Sequence, residues 1–139
     1  MENLIAAAVR KALDELKLNY CENAGAFDFH IKIEQTNAQV KVICLEDQEI
    51  LIAVAYSGVF TPENKMDSVC RWICEKNRAC AIGNYTIDEE DGEVSFRVSC
   101  PVEGGAVNSE MAKVAILNAI KRIDDDYLDL VKLLYLNNI

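Results

Sequence analysis

The sequence predicts an α+β fold in the order α-β-β-β-α-β-β-α, with helices packed on a mainly antiparallel sheet. Three observations carry this. Apolar stripes of helical period occur at both ends and once in the middle. Segments alternating apolar and polar with period two lie between them. Short turn sequences join all strand neighbours except across the middle helix, which favours antiparallel pairing.

The first helix is expected over residues 2–17. Leu4, Ile5, Ala8, Val9, Ala12, Leu13 and Leu16 share one half of its wheel, and Asn3, Arg10, Asp14 and Lys17 take the other. In residues 27–34, Phe27, Phe29, Ile31 and Ile33 alternate with Asp28, His30, Lys32 and Glu34, the mark of a strand with one wet face. The polar Thr36-Asn37-Ala38-Gln39 reads as a turn into a strand over 40–45. Glu46-Asp47-Gln48 turns into a third strand over 49–56, where ILIAVAY is apolar on both faces. Such a strand should be central, or covered on both sides. Thr61-Pro62-Glu63 opens the second helix with a capping residue, an N1 proline and an early acid. That helix should reach about residue 77, with Met66, Val69, Cys70, Ile73 and Cys74 inward. Residues 84–88 and 93–100 form a hairpin around Asp91-Gly92, and Pro101 stops the return strand. Asn108 or Ser109 caps a last helix running to Leu136, whose stripe against the sheet is Ala112, Ile116, Ala119, Ile120, Ile123, Tyr127, Leu130 and Leu134.

At 139 residues the chain reads as one domain, residues 1–139, without repeat or linker. Twenty-three acids against fourteen bases give a formal charge of −9. That field repels nucleic acid and anionic membrane surfaces, and the bases form no stripe to override it, so neither is an expected partner. Glu2 stands where a signal peptide carries positive charge, and no apolar run reaches the ~20 residues of a bilayer span. The expected location is cytoplasmic.

Six cysteines are present, but no C-x-x-C, and His30 is the single histidine. Only the Cys70/Cys74 pair approaches a metal-ligand spacing, and buried thiols acting as small hydrophobes are the expected reading. Chemistry is hard to assemble from the remaining residues. His30 alternates onto the wet face of its strand, away from any nucleophile. Asp88-Glu89-Glu90-Asp91 reads as a solvated turn without calcium-loop spacing, and Asp124-Asp125-Asp126 fans around a helix. No phosphate loop follows Gly104-Gly105. The chain is therefore expected to be no enzyme and to need no cofactor.

Three stretches have a familiar text. They are the helix MDSVCRWICEKNR with Asn77 and Ala79 at its end, the hairpin IGNYTIDEEDGEVSFRVSCPVEGG, and the Asp125-Asp126-Tyr127-Leu128 segment of the last helix. In this order they resemble the YbjN family of bacterial sensory-transduction regulators, best over residues 60–136. That family is similar in fold to type III secretion chaperones, small acidic dimers that hold partner segments in extended form. The resemblance implies the same fold, a homodimer, an unidentified protein partner and no catalytic residues.

Trp72 lies about 130° from the centre of its helix's expected inner stripe, where a large apolar side chain needs covering. Either a loop of its own monomer or a second subunit covers it; the second subunit is the expected cover, with Arg71, Lys76 and Arg78 as a polar rim. Leu117, Leu128, Val131 and Tyr135 form a second apolar sector on the last helix, which serves either this interface or a kink near Asp124–Asp126 that folds the tail back. The leading function is a chaperone-like or regulatory adaptor for a polypeptide. The alternatives are a thiol-based redox or metal sensor using Cys70, Cys74 and Cys80, and a small-molecule-binding regulatory domain.

Overall fold

Helix α1 (Leu4–Glu15) precedes a run of antiparallel strands: β1 (Cys21–Asn23), β2 (Ala26–Lys32), β3 (Asn37–Leu45) and β4 (Ile50–Phe60). A 3₁₀ turn at Glu63–Lys65 leads into α2 (Met66–Ala79), followed by β5 (Asn84–Ile87), β6 (Glu93–Pro101) and α3 (Ser109–Tyr135). The computed structural model describes residues 3–135. One six-stranded sheet has the order β1-β2-β3-β4-β6-β5, and every neighbouring pair is antiparallel. The expected α+β class and element order hold, with β1 as an addition. Its three residues are all exposed and show no apolar alternation, so nothing local marks them as a strand. The residues expected as a turn at 37–39 already belong to β3.

All three helices lie on one face of the sheet. The core consists of Phe27 and Phe29 of β2, Val40 and Val42 of β3, Leu51, Ala53 and Ala55 of β4, and Val94, Phe96 and Val98 of β6. Against them pack Ile5, Val9 and Leu13 of α1 and Ile116, Ile120, Ile123 and Leu130 of α3. Each fully buried side chain of this kind contributes about 1.5–3 kcal/mol. The stripe expected for α3 is buried throughout, apart from a half-buried Tyr127. α3 runs unbroken through Asp124–Asp126, so the kink reading is overturned; Leu136 lies outside the described residues.

The helix starts are set by different partners. Glu46 of the β3–β4 turn caps α1 from across the fold, accepting from Ile5 N at 3.0 Å and Ala6 N at 2.9 Å, and Asn3 makes no side-chain cap. A carboxylate there meets both the orphan donors and the positive end of the helix dipole. Thr61 does not cap α2 either. Its backbone N donates to Gly92 O at 2.8 Å, its hydroxyl has no hydrogen-bond partner, and α-helix begins only at Met66. On α3 the expected cap is in place, with Asn108 Oδ1 accepting from Met111 N at 2.9 Å.

α2 is rotated from its expected setting. It sits beside β5 and α3 at the end of the sheet, so it buries Val69 and Ile73, half-buries Met66, Trp72, Lys76 and Asn77, and leaves Cys70 and Cys74 exposed. The apolar count favoured a stripe through the cysteines. Packing chose the side where an indole could meet an aromatic neighbour.

Candidate functional site

The second face of the sheet is the largest feature without a helix. Among the described residues no helix packs on it, and Ile52 and Val54 are absent from the core they flank in β4. Pairing register lines its side chains up in rows across the strands. One row is Ala26, Ile43, Ile52 and Ser99. The next is Asp28, Lys41, Val54, Arg97 and Asn84, and a third holds His30, Gln39, Tyr56, Ser95 and Thr86. Leu45 and Ile50 continue the apolar centre toward the β3–β4 turn. The face is thus an apolar strip on β3 and β4 between polar margins. Ile52 and Val54 are 5% and 9% exposed, and Ile43, Leu45, Ile50 and Tyr56 are half-buried.

Acids gather at one end of this face. A bulge at Gly58 separates the Tyr56 and Phe60 pairings, and Gly58 N donates to Glu93 Oε2 at 3.1 Å. Burial, with Asp91 and Asp88 nearby, raises the Glu93 carboxyl above the usual carboxylate range, against the lowering effect of that bond. Burial and then the Glu93 charge raise the Tyr56 phenol, so it stays neutral at physiological pH. Phe60 stands half exposed beside Glu93.

On the helical side a polar latch joins α2, β5 and α3. Asn77 brackets the Tyr85 backbone: Tyr85 N donates to its Oδ1 at 2.6 Å, and its Nδ2 donates to Tyr85 O at 3.1 Å. This side-chain amide imitates a neighbouring strand and blunts the outer edge of β5. The Tyr85 ring stacks between Trp72 (centroids 5.1 Å) and Phe96 (4.8 Å), and its hydroxyl donates to Asp126 Oδ2 at 2.5 Å. Lys76 lies 3.4 Å from Asp126 and 5.4 Å above the Trp72 ring. Burial first, and the hydrogen bond to Asp126 second, push the Tyr85 phenol well up from its ordinary value.

This arrangement gives Trp72 part of its cover within the chain, from Tyr85, and Lys76 points inward to Asp126 and Asp129 instead of outward as a rim. Arg71 is exposed as expected. Leu117 and Leu128 are 45% and 48% exposed, Tyr135 is exposed, and Val131 is half-buried against the core. The structure does not gather the cysteines. Cys70 and Cys74 share the outer side of α2, whereas Cys80 closes the helix at its C-terminal end, half-buried. Cys44 is the buried thiol of the set, and desolvation pushes it up to about 12. Among the described residues no three acids, cysteines or histidines are placed to hold a metal ion.

Sequence reasoning passed over the sheet face and Asp126. For the face a signal existed: ILIAVAY is apolar on both sides, yet the chain has only enough helix to cover one. For Asp126 the family-like Asp125-Asp126-Tyr127-Leu128 segment pointed to the place, but periodicity alone could not separate it from the neighbouring aspartates of the run.

Comparison with known proteins now bears on this geometry. The YbjN family profile, described as "Putative bacterial sensory transduction regulator", matches residues 6–131. The chain belongs to the YbjN family. No curated protein sequence matches it. A chain of the ExsC-ExsE complex superposes with a TM-score of 0.64 at 13% identity, covering 88% of this chain and 90% of that one. A chain of the HopA1-SchA chaperone-effector complex gives 0.61 at 14%, covering 86% and 90%. The crystal structure of YbjN from E. coli gives 0.60 at 14%, covering 91% and 87%. At these identities the likeness is one of fold, and the fold is type III secretion chaperone-like, as the family resemblance implied. The kinds of protein represented are regulators and chaperones.

Proposed function

We propose that this YbjN-family chain is a non-enzymatic adaptor, chaperone-like or regulatory, that binds a polypeptide partner on the helix-free face of its sheet. The observation that carries the reading is the apolar strip of Ile43, Ile52, Val54 and Tyr56, left without a helix among the described residues while the opposite face packs against three helices. Ile43 and Tyr56 are the accessible part of the strip, and the polar margins on either side would frame a docked segment. Similarity in fold to a chaperone bound to its effector supports it. The protein works in the cytoplasm as a homodimer, whose contact uses Arg71, Leu117, Leu128, Val131 and Tyr135 on the outer sides of α2 and α3, with the accessible part of Trp72 at its edge. No helix among the described residues is long and apolar enough to cross a membrane.

The test is to recover the partner from the native cytosol and add it, purified, to methyl-labelled protein. Shifts are expected at the Ile43 and Ile52 methyls and not at the core methyls of Ile5 and Ile116. Shifts confined to the helical side would overturn the docking face. The dimer stands or falls separately: Leu128→Asp should lower the mass seen by light scattering, and a monomeric wild type would end it.

A further inference from the structure

The helix-free face differs in charge from the rest of the chain. Within the paired strands, register brings Lys32, Lys41 and Arg97 to this side against Asp28 and Glu93, a small positive excess in a chain of formal charge −9. Two of these cations flank the centre of the apolar strip, in a row that runs Lys41, Val54, Arg97. Lys41 is half-buried and makes no hydrogen bond or ion pair among the described residues. Asp28 stands directly across from it on β2, yet no ion pair joins them. Arg97 is exposed, and its Nε donates to Ser99 Oγ at 3.3 Å; its terminal nitrogens have no partner among the described residues.

We infer that the partner docks here through an amphipathic helix with acidic residues on both flanks of its apolar stripe. This deepens the adaptor reading and rests on it for the docking face. Backbone chemistry selects the helix. β3 and β4, which carry the strip, are hydrogen-bonded to a neighbour on each side. An extended segment laid over them finds no ladder, and its own amides and carbonyls go unmet against apolar side chains. A helix satisfies its backbone internally. The dimensions agree. Lys41 and Arg97 are two strand spacings apart, about 10 Å, close to the diameter of a helix with its side chains. From Ile50 to Tyr56 the strip runs about 20 Å, the length of a helix of about 13 residues. Charge selects the flanks. A helix seated over Val54 turns its stripe down to Ile43, Ile52 and Tyr56, and its edges meet the Lys41 ammonium and the free fork of Arg97, which suits a carboxylate. Salt screens charges beyond about 8 Å at physiological ionic strength, so these two cations count for more at the face than the chain's total charge.

The experiment titrates the full-length, methyl-labelled protein with a side-chain-stapled peptide of about 14 residues, its leucines in one helical stripe and its glutamates on both flanks. Three relatives are run alongside: one with glutamine for each glutamate, one with lysine for each glutamate, and one unstapled with a central proline. The glutamate helix should saturate shifts at the Ile43 and Ile52 methyls. The glutamine helix should need about three- to tenfold more for half-saturation, and the lysine helix more again. The proline peptide should leave those methyls unmoved. In Lys41→Gln with Arg97→Gln, two changes outside the core, the glutamate and glutamine helices should bind alike. Equal binding of those two helices to wild type, an equally tight proline peptide, a preference that survives the double variant, or no saturation by any helix would each overturn the inference. Shifts at the same methyls on concentrating the protein alone would overturn it too, by giving the face to a second copy. The docking reading fails separately. It stands, without the acidic helix, where the native partner moves the Ile43 and Ile52 methyls but the model helices show no such preference. It falls, and the helix with it, where that partner moves only the helical side.

Discussion

Tyr85→Phe is the most informative single change in this fold, because it removes one oxygen from the middle of the latch and leaves the ring in place. The residue is 3% exposed, and its hydroxyl lies 2.5 Å from Asp126 Oδ2 and 3.1 Å from the Arg122 carbonyl oxygen. A hydrogen bond to a charged acceptor contributes about 1.5–3 kcal/mol net, and its loss strands a buried acceptor at further cost. Asp126 would keep Lys76 at 3.4 Å and Arg122 at 3.9 Å, which limits that cost. The expected destabilisation is therefore about 2–3 kcal/mol. For a domain of this size that lowers Tm by about 6–12 °C. Urea unfolding followed by the fluorescence of Trp72, the single tryptophan, reads the change at the site itself, with far-UV dichroism as the global probe. The midpoint should fall at constant slope. Combining it with Asp126→Asn should cost less than the sum of the two, since they share a bond. The phenol adds an alkaline signature. Its folded pKa is raised from 10.0, so the stability it confers is complete below pH 10 and is lost as pH rises beyond it, when the unfolded chain ionises first. Tyr85→Phe should lack that component. A loss under about 0.5 kcal/mol would refute the latch as a buried charge-assisted bond.

Glu46→Ala should destabilise by about 1–2 kcal/mol in thermal unfolding, because two α1 backbone donors lose their acceptor. Gly92→Ala should cost more than about 1 kcal/mol in the same assay, since a left-handed φ is combined with a backbone clash. Iodoacetamide followed by peptide mapping should label Cys70 and Cys74 in the native protein, and Cys44 only in step with unfolding, because its thiol is buried and pushed up to about 12.

How much could be read in advance depended on the range of the forces involved. The stripes of α1 and α3 and the alternation in β2 and β6 are local periodicities, and the structure honours them. ILIAVAY correctly announced a central strand. The setting of α2 was illegible because its wheel offers two faces of similar apolarity, and only the position of Tyr85 selects Trp72 over Cys70 and Cys74. Capping was legible only where it is local. Glu46 caps α1 from 41 residues away, which no local pattern announces, and the 3₁₀ turn displaces the start of α2 beyond the reach of Thr61.

α2 carries a last consequence. It buries only Val69 and Ile73 completely, so its docking depends on Trp72, Asn77 and the Lys76–Asp126 pair more than on aliphatic area. A helix held mainly by polar contacts at one end of a sheet opens at lower free energy than a helix seated on the core, as α3 is. Its outer side contributes Arg71 to the surface proposed for the dimer. Assembly and latch therefore hold the same element from opposite sides, and weakening one should weaken the other. In Tyr85→Phe the dimer should dissociate at higher protein concentration than wild type, although no residue of the contact has changed. Were dimer affinity untouched by a latch change that lowers Tm as calculated, the contact would have to lie away from α2, on α3 alone.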